Sequence, residues 1–246
     1  MKNFLLKTLL LTTLAFTFFS CESDDDEPWV KPKMSEGVYI LHLGKDGNND
    51  SKLSYYDIEG NKLTADVFDN INSKPLGDLG EDMIIYGSKM YITVLNSNII
   101  YITDLESKIL NTIQPKNDAN QPLSPYGLVS HNGKVYASLY GGFVVQIDTT
   151  SMEITKQMSV GTYPEKMVVM NNKLYVSNTR TPSDSISVIN LSSFTRENNI
   201  KVAVNPSQMV SDDNGTLYVG AMGDYVDNPA ELQKIDTKNK RNVQGY

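Results

Sequence analysis

The chain has 246 residues, and 22 lysines and arginines stand against 29 aspartates and glutamates, so its net charge is −7. With 40% hydrophobic and 21% charged residues, the composition is that of a globular protein and not of a disordered chain. The negative charge disfavours nucleic-acid binding, which needs clustered cations. One cysteine and two histidines exclude an internal disulfide framework and a cysteine-based zinc cluster, so we expect neither a metal nor a cofactor.

The first predicted element, residues 1–20, has the pattern of a secretory signal peptide. Lys2 and Lys7 form a short basic start, and an apolar run rich in leucine and phenylalanine follows. This run is shorter than a typical membrane-spanning helix. We therefore expect residues 1–20 to be removed on export, with an N-terminal anchor helix as the alternative.

The only cysteine, Cys21, directly follows this segment. The residues from Phe18 to Cys21 (Phe-Phe-Ser-Cys) resemble the bacterial lipobox, although Phe18 stands where that motif usually has leucine. The resemblance implies that Cys21 is lipidated. Residues 21–35 then form a tether, because the carboxylates of Glu22–Glu27 repel each other and cannot pack. This acidic run resembles the export signal of surface lipoproteins of Bacteroidetes, which implies an outward-facing position on the outer membrane; a spacer without a sorting role is the alternative.

The remainder of the chain, residues 36–246, is an internal repeat. A short apolar phrase with a central tyrosine recurs at intervals of roughly 40–50 residues, around Tyr39, Tyr91, Tyr136, Tyr175 and Tyr218. Apolar pairs precede all copies but the first, and three of these pairs follow a proline at a fixed distance: Pro125, Pro164 and Pro206. Each copy is followed by a strand that ends in an aspartate or asparagine before a polar turn. Tyr91, Tyr136, Tyr175 and Tyr218 are expected in the core. The aspartates at the strand ends are expected to cap their own turns: Asp57, Asp104, Asp148 and Asp236.

These repeats predict an all-β fold. Asn- and Gly-containing turns supply the positive φ angles of tight hairpins, and no segment shows a sustained helical period. The tyrosine-bearing strands are apolar or bulky on both faces, as expected in sheets that are stacked like blades. We therefore predict a β-propeller with four-stranded blades and about five repeats. A β-sandwich and an up-and-down barrel are the alternatives, but neither explains the repeated phrase.

The segment from Gly161 to Asn190 resembles the YncE-like propeller repeat. That repeat has Gly-x-x-Pro, an apolar strand, Lys-Leu-Tyr-Val followed by Asn, and a strand that ends in Val-Ile-Asp. The matching residues here are Gly161 to Pro164, then Lys173-Leu-Tyr-Val-Ser-Asn178, then Val188-Ile-Asn190. The opening from Gly37 to Asp57 is similar to the first blade of the YncE-like lipoproteins of Bacteroidetes. That group includes the BtuG-like surface propellers, which capture corrinoids such as cobalamin beside an outer-membrane transporter. His42 and Leu43 stand where the family usually has Asn and Glu.

Members of this family close a ring of seven blades, so the resemblance implies that residues 36–246 are an open part of such a ring. The first repeat begins directly at its tyrosine-bearing strand, and the segment after Asp236 is expected to lack most of the outer strand of the last blade. We therefore expect an incomplete propeller; a closed ring of five blades is the alternative.

Candidate ligand-binding residues lie in loops that are expected to surround the mouth of the central channel. Aromatic faces with amide and guanidinium donors suit a planar, polar ligand or a sugar. The predicted ligand-binding residues are Tyr126, Tyr140, Tyr163, Asn178, Arg180 and Tyr225.

We find no catalytic constellation in the sequence, neither a Gly-x-Ser-x-Gly elbow nor a metal-spaced cluster of histidines and carboxylates. The sequence and the resemblance together favour a non-enzymatic surface lipoprotein that binds a small organic nutrient, with a corrinoid as the first choice, for a TonB-dependent transporter. Two alternatives remain open: a glycan-binding or adhesion propeller, and a propeller hydrolase of the lactonase kind.

Overall fold

The computed structural model describes residues 36–238 and 241–245. These residues form five antiparallel β-sheets that follow one another along the chain. One six-residue helix, α1 (Val67–Asn72), connects the first sheet to the second. In this part of the chain no helix is long and apolar enough to cross a membrane. The predicted all-β fold, with little helix, is confirmed.

The first two sheets differ in their number of strands. Blade 1 has three strands in spatial order: β1 (Gly37–His42), β2 (Lys52–Asp57) and β3 (Lys62–Thr64). Blade 2 has four: β4 (Gly80–Tyr86), β5 (Lys89–Val94), β6 (Ile99–Asp104) and β7 (Ile109–Ile113). The repeated tyrosine lies in the first strand of blade 1 and in the second strand of blade 2. Blade 1 therefore begins at the tyrosine-bearing strand, as the repeat pattern predicts.

Blades 3 to 5 repeat the four-stranded meander. Blade 3 consists of β8 (Pro125–His131), β9 (Lys134–Leu139), β10 (Phe143–Asp148) and β11 (Ile154–Ser159). Blade 4 consists of β12 (Pro164–Met170), β13 (Lys173–Asn178), β14 (Ser185–Asn190) and an interrupted outer strand, β15 (Thr195–Arg196) and β16 (Ile200–Lys201). Blade 5 consists of β17 (Pro206–Ser211), β18 (Thr216–Ala221), β19 (Glu231–Asp236) and β20 (Arg241–Gly245).

The last blade corrects one expectation from the sequence. We expected the segment after Asp236 to lack most of an outer strand, but β20 pairs with β19 along its length. The sequence of β20 is short and polar, so its apolar pattern gives no strand signal. Its pairing comes from backbone hydrogen bonds to a neighbouring strand, which do not depend on apolar side chains.

The hydrophobic core is divided among the interfaces between consecutive blades. One cluster joins blades 1 and 2, a second joins blades 2 and 3, a third joins blades 3 and 4, and a fourth joins blades 4 and 5. The repeated tyrosines Tyr91, Tyr136 and Tyr175 each belong to the cluster shared with the following blade. Each is at most 2% exposed, so the prediction that they are core residues is confirmed.

The chain forms a β-propeller arc of four-stranded blades and a three-stranded first blade. Strands of each blade pack on those of the next, and no comparable packing joins blade 5 to blade 1 among the described residues. The prediction of a core position is not met for Tyr218 of blade 5, because its side chain is only half-buried, unlike its counterparts in the preceding three blades; no following blade covers it among the described residues. The prediction of an open ring agrees with this arrangement, whereas a closed five-bladed ring does not.

Acidic and amide residues at the strand ends organise the turns, as predicted. The Asp104 carboxylate accepts hydrogen bonds from the backbone N–H groups of Glu106 and Lys108, both at 2.9 Å. Asp148 likewise accepts from Thr150 at 2.9 Å and Ser151 at 2.8 Å. The bond with the Lys134 ammonium group, together with these backbone bonds, holds the pKa of Asp148 well below its usual range. The aspartates are therefore turn residues and not an acid–base pair.

Candidate functional site

The innermost strands of blades 2 to 5 each carry a β-bulge near their first residue. In blade 3 Pro125 pairs with Leu139 and Leu128 with Ala137, so two residues of β8 oppose a single residue of β9. Comparable register shifts occur in β4, β12 and β17. A bulge bends its strand and redirects the side chain of the extra residue. We call the residues there the bulge positions: Glu81, Tyr126, Glu165 and Ser207.

A hydroxyl group on the second strand faces each of the first three bulges. Ser138 Oγ accepts a hydrogen bond from Gly127 N–H at 2.9 Å and donates one to the Glu165 carbonyl of the next blade at 2.6 Å. Thr93 Oγ1 similarly accepts from Asp82 N–H at 3.0 Å and donates to the Tyr126 carbonyl at 2.6 Å.

In blade 4, Ser177 Oγ accepts from Lys166 N–H at 3.0 Å. We call Thr93, Ser138 and Ser177 the strand hydroxyls. Because Thr93 and Ser138 bond to two blades at once, they fix the bulge positions of blades 2 to 4 relative to one another. The mouth of the channel is thus held by hydrogen bonds between side-chain hydroxyls and the backbone, which do not depend on a ligand.

Four of the six predicted ligand-binding residues come together at this mouth. The rings of Tyr126 and Tyr140 stack with centroids 5.3 Å apart and an interplanar angle of 17°. Tyr163 meets Tyr140 edge-on, with centroids 5.2 Å apart at 84°. The Arg180 guanidinium lies 3.9 Å from the Tyr163 centroid and 5.2 Å from that of Tyr140. Tyrosines from two blades and an arginine therefore form one continuous cluster.

Lys166 extends this cluster, since its ammonium nitrogen lies 5.3 Å from the Tyr126 centroid. We call these five residues the tyrosine–cation column: Lys166, Tyr126, Tyr140, Tyr163 and Arg180. Tyr126 and Tyr140 each have both an aromatic and a cationic neighbour over the ring. Much of their ring surface is therefore used within the column, and the side chains most open to a ligand are Tyr163, which is 38% exposed, and Arg180.

Two carboxylates that were not predicted as site residues lie beside the column. Glu165 Oε1 accepts a hydrogen bond from the Tyr140 hydroxyl at 2.6 Å. Glu81 is half-buried and lies close enough to Glu165 and Lys166 to feel their charges. Both acids occupy bulge positions, as Tyr126 does. The innermost strands of blades 2 to 5 each begin with proline or glycine, and when they are aligned, Glu81 and Glu165 fall at the same position of the repeat as Tyr126. This alignment is the sequence signal that would have identified the two acids.

The electrostatics follow from partial burial and from the nearby acids. Burial, with the charges of Glu165, Glu81 and Asp82, raises the pKa of Tyr126 to about 12. Burial and the bond to Glu165 also raise the pKa of Tyr140 far above its usual value. Burial raises the pKa of Glu81, and the neighbouring carboxylates of Glu165 and Asp82 add to this effect while Lys166 opposes it. The hydroxyls of Tyr126 and Tyr140 therefore remain protonated hydrogen-bond donors at neutral pH.

The structure corrects the prediction that Asn178 contacts a ligand. Its side chain is 1% exposed. The Asn178 amide accepts a hydrogen bond from Gly161 N–H at 3.1 Å and donates to the hydroxyls of Ser185 and Ser187 at 2.9 and 3.1 Å. With these bonds made inside the blade, Asn178 is a structural residue that connects the loop before β12 to β14.

Tyr225 is also not part of the column. It lies in a turn of blade 5 and is 80% exposed, and no ring contact joins it to the other tyrosines among the described residues. Asp224 builds this turn by accepting hydrogen bonds from the backbone N–H groups of Val226, Asp227 and Asn228 at 2.8 to 3.0 Å. These bonds, those to Asn228 being the largest influence, lower the pKa of Asp224 to about 2. The remaining predicted site residue, Cys21, lies outside the described residues.

No metal site is apparent in the residues that the structure describes, because no three His, Cys, Asp or Glu side chains there are grouped so that they could hold an ion.

The comparisons with known proteins concern the fold. No family model matches the chain, and no curated protein matches it. The solved structure of Dihydro-heme d1 dehydrogenase NirN in complex with DHE is similar with a TM-score of 0.64 and 14% identity over 83% of this chain. Kuenenia stuttgartiensis Hydrazine Synthase is similar with a TM-score of 0.58 and 17% identity over 65% of this chain. The chain spans 46% of the length of each of these two proteins.

These similarities support the β-propeller fold and correct one expectation. From the absence of a catalytic motif we expected a protein that is not an enzyme, but both proteins of similar fold are named as enzymes. A missing sequence motif therefore does not exclude catalysis on this fold. At 14–17% identity the likeness shows the fold alone, so neither reaction is assigned to this chain. The resemblance to YncE-like lipoproteins stays a prediction.

The first testable prediction concerns Ser138. Ser138→Ala should lower the free energy of unfolding by about 1–3 kcal/mol, because Gly127 N–H and the Glu165 carbonyl both lose their partner. Chemical denaturation would measure this loss. Ser159→Ala, an exposed position on the outer strand of the same blade, is the control and should stay within about 0.5 kcal/mol of the wild type. Equal effects of the two substitutions would contradict the bridging role.

The second prediction concerns Glu81 and pH. Because its pKa is raised in the folded protein, the folded state favours the protonated form, and stability falls as the pH rises through the raised pKa. Glu81→Gln, which is neutral at every pH, should therefore raise the denaturation midpoint at about pH 7 and have less effect near pH 4. Asp82, Glu165, Lys166 and Tyr126 surround Glu81 and remain unchanged in this variant. A gain that grows in acid would show that the assigned direction is wrong.

Proposed function

We propose that this protein binds a small organic molecule at the mouth of the propeller channel, on the face formed by Tyr163, Arg180 and the bulge positions. The observation that carries this proposal is the tyrosine–cation column, which collects polar aromatic and charged side chains from two blades at one end of the channel. Aromatic side chains combined with a few placed polar groups are typical of small-molecule binding sites.

The backbone that carries the column is held by hydrogen bonds within the protein. The Tyr126 carbonyl accepts a hydrogen bond from Thr93 of blade 2, the Glu165 carbonyl accepts one from Ser138 of blade 3, and the Arg180 backbone N–H donates to Asn205 Oδ1 at 2.8 Å. A site that is already ordered loses little conformational entropy on binding, so more of the contact energy contributes to affinity. These hydrogen bonds support binding of a specific ligand more than they support a loose adhesive surface.

For the ligand and the cellular setting, the resemblance to YncE-like lipoproteins suggests a corrinoid that is delivered to a TonB-dependent transporter. In this proposal Cys21 carries the lipid anchor and the propeller faces outward from the outer membrane. More than one acyl chain is needed for stable anchoring, since each buried methylene contributes roughly 0.8 kcal/mol. A glycan is the second candidate ligand, because Tyr163 is exposed and packs on Tyr140, whose hydroxyl bonds to Glu165. Sugars combine an apolar face with hydroxyl donors, which suits an aromatic ring near a carboxylate.

The third prediction tests the ligand and its place. Cobalamin and a panel of neutral oligosaccharides are titrated into the folded protein by calorimetry. Tyr163→Ala and Arg180→Ala should each weaken binding of the active compound about tenfold or more, as for aromatic and arginine hot spots. Tyr225→Ala, which removes an equally large but separate tyrosine, should leave the affinity unchanged.

The compound that gives heat on titration identifies the ligand class. Heat with cobalamin alone supports the corrinoid, and heat with an oligosaccharide alone supports the glycan. If Tyr225→Ala weakens binding as strongly as Tyr163→Ala, the site does not lie at the column. Absence of heat with every compound contradicts small-molecule binding of these two classes.

The fourth prediction tests the anchor. Cys21→Ala should move the protein from the membrane fraction to the soluble fraction, because the substituted residue cannot carry acyl chains. Protease treatment of intact cells should remove the wild-type propeller if it faces outward. Retention of Cys21→Ala in the membrane would contradict lipidation, and resistance of the wild type, while a known surface lipoprotein is cut, would contradict surface exposure.

A further inference from the structure

The tyrosine-bearing strand has a strand on each side in four of the five blades. In blade 3, for example, β9 lies between β8 and β10. Blade 1 differs, because among the described strands β1 pairs with β2 alone. The other edge of β1 corresponds to the edge that the innermost strand occupies in blades 2 to 5. Such an edge presents backbone N–H and C=O groups that a further strand can pair with.

The segment directly before β1 has the register of an innermost strand. In blades 3 and 4 that strand begins at a proline that stands 11 residues before the repeated tyrosine. The two pairs are Pro125 with Tyr136 and Pro164 with Tyr175. Pro28 likewise stands 11 residues before Tyr39. In this alignment Met34 is the last residue of the strand, and two residues remain for the turn into β1, as in blades 3 and 4.

The place of this segment in the chain favours it over a strand from another molecule. A connection of two residues keeps it beside the edge of β1, whereas a separate molecule loses translational freedom on binding. Pro32 lacks an N–H group and so removes at most one hydrogen bond from the ladder. Proline in sheets is confined to edge strands and bulges, which agrees with an innermost strand beside the channel.

We propose that residues 28–34, which lie outside the described residues, form the innermost strand of blade 1, and that Trp29 thereby lies at the channel mouth. In this register Trp29 directly follows the first proline, as Tyr126 and Glu165 do at the bulge positions of blades 3 and 4. It adds a large aromatic surface to the mouth. The strand stands independently of ligand binding, whereas a contact of Trp29 with the ligand deepens the proposed function and rests on it.

The same strand determines where the tether leaves the propeller. Pro28 is then at the mouth end of blade 1, so the acidic run Glu22–Glu27 continues from the mouth and not from the opposite end of the channel. Cys21 stands seven residues before Pro28, which a fully extended chain spans in about 25 Å. With Cys21 lipidated as proposed above, the mouth is the end of the propeller that lies nearest the membrane.

An engineered cysteine pair tests the strand. Lys31→Cys and Ile40→Cys are combined in the full chain, and Cys21→Ala removes the only other thiol. In the proposed register the two positions are directly opposed, as Leu128 and Ala137 are in blade 3. Opposed residues have Cα atoms about 4.5–5.5 Å apart, a distance that a disulfide bridges. Mild oxidation should therefore close this pair in nearly all molecules, as measured by free-thiol titration and mass spectrometry.

The control pair is Met34→Cys with Leu43→Cys, which has the same separation of nine residues in the chain. In the proposed register Met34 is opposed to Gly37, so Leu43 is about 20 Å away along the strand and this pair should stay reduced. Equal closure of both pairs would show a segment without a fixed register and would overturn the proposal, as would failure of the first pair to close. Disulfide-linked dimers of the first pair would show that a second copy supplies the strand, which also overturns it.

The contact with the ligand is tested by Trp29→Ala in the calorimetric titrations with cobalamin and the oligosaccharides. The affinity for the compound that binds should fall about tenfold, and Trp29→Phe, which keeps an aromatic ring, should restore most of it. Unchanged affinity of Trp29→Ala overturns the contact, even where the disulfide supports the strand. If no compound binds, the proposed function fails, and the disulfide result alone decides the strand and the place of Trp29.

The direction of the mouth is tested on the lipidated protein in vesicles that contain a donor-labelled lipid. Thr162→Cys, in the mouth loop before β12, and Thr150→Cys, in the turn at the opposite end of β10, each carry an acceptor dye; both positions are exposed. The dye at Thr162→Cys should show the stronger energy transfer from the lipid. Stronger transfer to Thr150→Cys would show that the mouth points away from the membrane and would overturn the path inferred for the tether.

Discussion

The arrangement of the channel mouth depends on side-chain hydroxyl groups that accept hydrogen bonds from backbone N–H groups at the bulges. Each bulge in an innermost strand leaves a backbone N–H without its regular partner in the ladder, and a buried unpaired N–H is costly. Ser138 solves this problem within blade 3 and at the same time donates to the carbonyl of Glu165 in blade 4. Thr93 makes the equivalent pair of bonds between blades 2 and 3. The local repair of the sheet is therefore also the contact that sets the spacing of the side chains at the mouth.

The fold could be predicted from the sequence because each part of its repeat unit is specified by residues that are close together in the chain. The tyrosine phrase, the Asn-Gly turns and the strand-ending aspartates each specify a short-range feature, and stacking is the arrangement that buries both faces of every sheet. The weakest signals are those that arise from pairing alone. The outer strand β20 and the interruption between β15 and β16 in blade 4 have little apolar pattern, so they depend on neighbouring strands more than on their own residues.

The site was predictable in part, and the reasons differ from residue to residue. Tyr126, Tyr140, Tyr163 and Arg180 could be found because loop topology places their loops at the same end of adjacent blades. Asn178 lies at the same end of blade 4, but its side chain turns inward. It is the last residue of β13, and its amide bonds to hydroxyls of the neighbouring strand β14. Glu81 and Glu165 were missed because an acid in a bulge looks like an ordinary solvent-facing strand residue. Partner choices of this kind depend on distances between blades that a single sequence does not contain.

Blade 5 has glycine, Gly220, where the preceding three blades have Thr93, Ser138 and Ser177. The innermost strand there still has its bulge, but the hydroxyl at this bulge belongs to Ser207 of that strand, which donates to the Gly220 carbonyl at 3.4 Å. Ser177 bonds only to Lys166 within blade 4, so among the described residues no strand hydroxyl links blade 4 to blade 5. Blade 5 is joined to blade 4 by the apolar cluster between them and by loop hydrogen bonds of Asn205 to Arg180 and Ser183. In a stacked repeat protein, cooperativity is limited by the weakest interface between neighbours. Local opening is then expected to begin at blade 5, and amide hydrogens at the bulges of blades 2 to 4 should exchange with solvent only in larger, rarer openings.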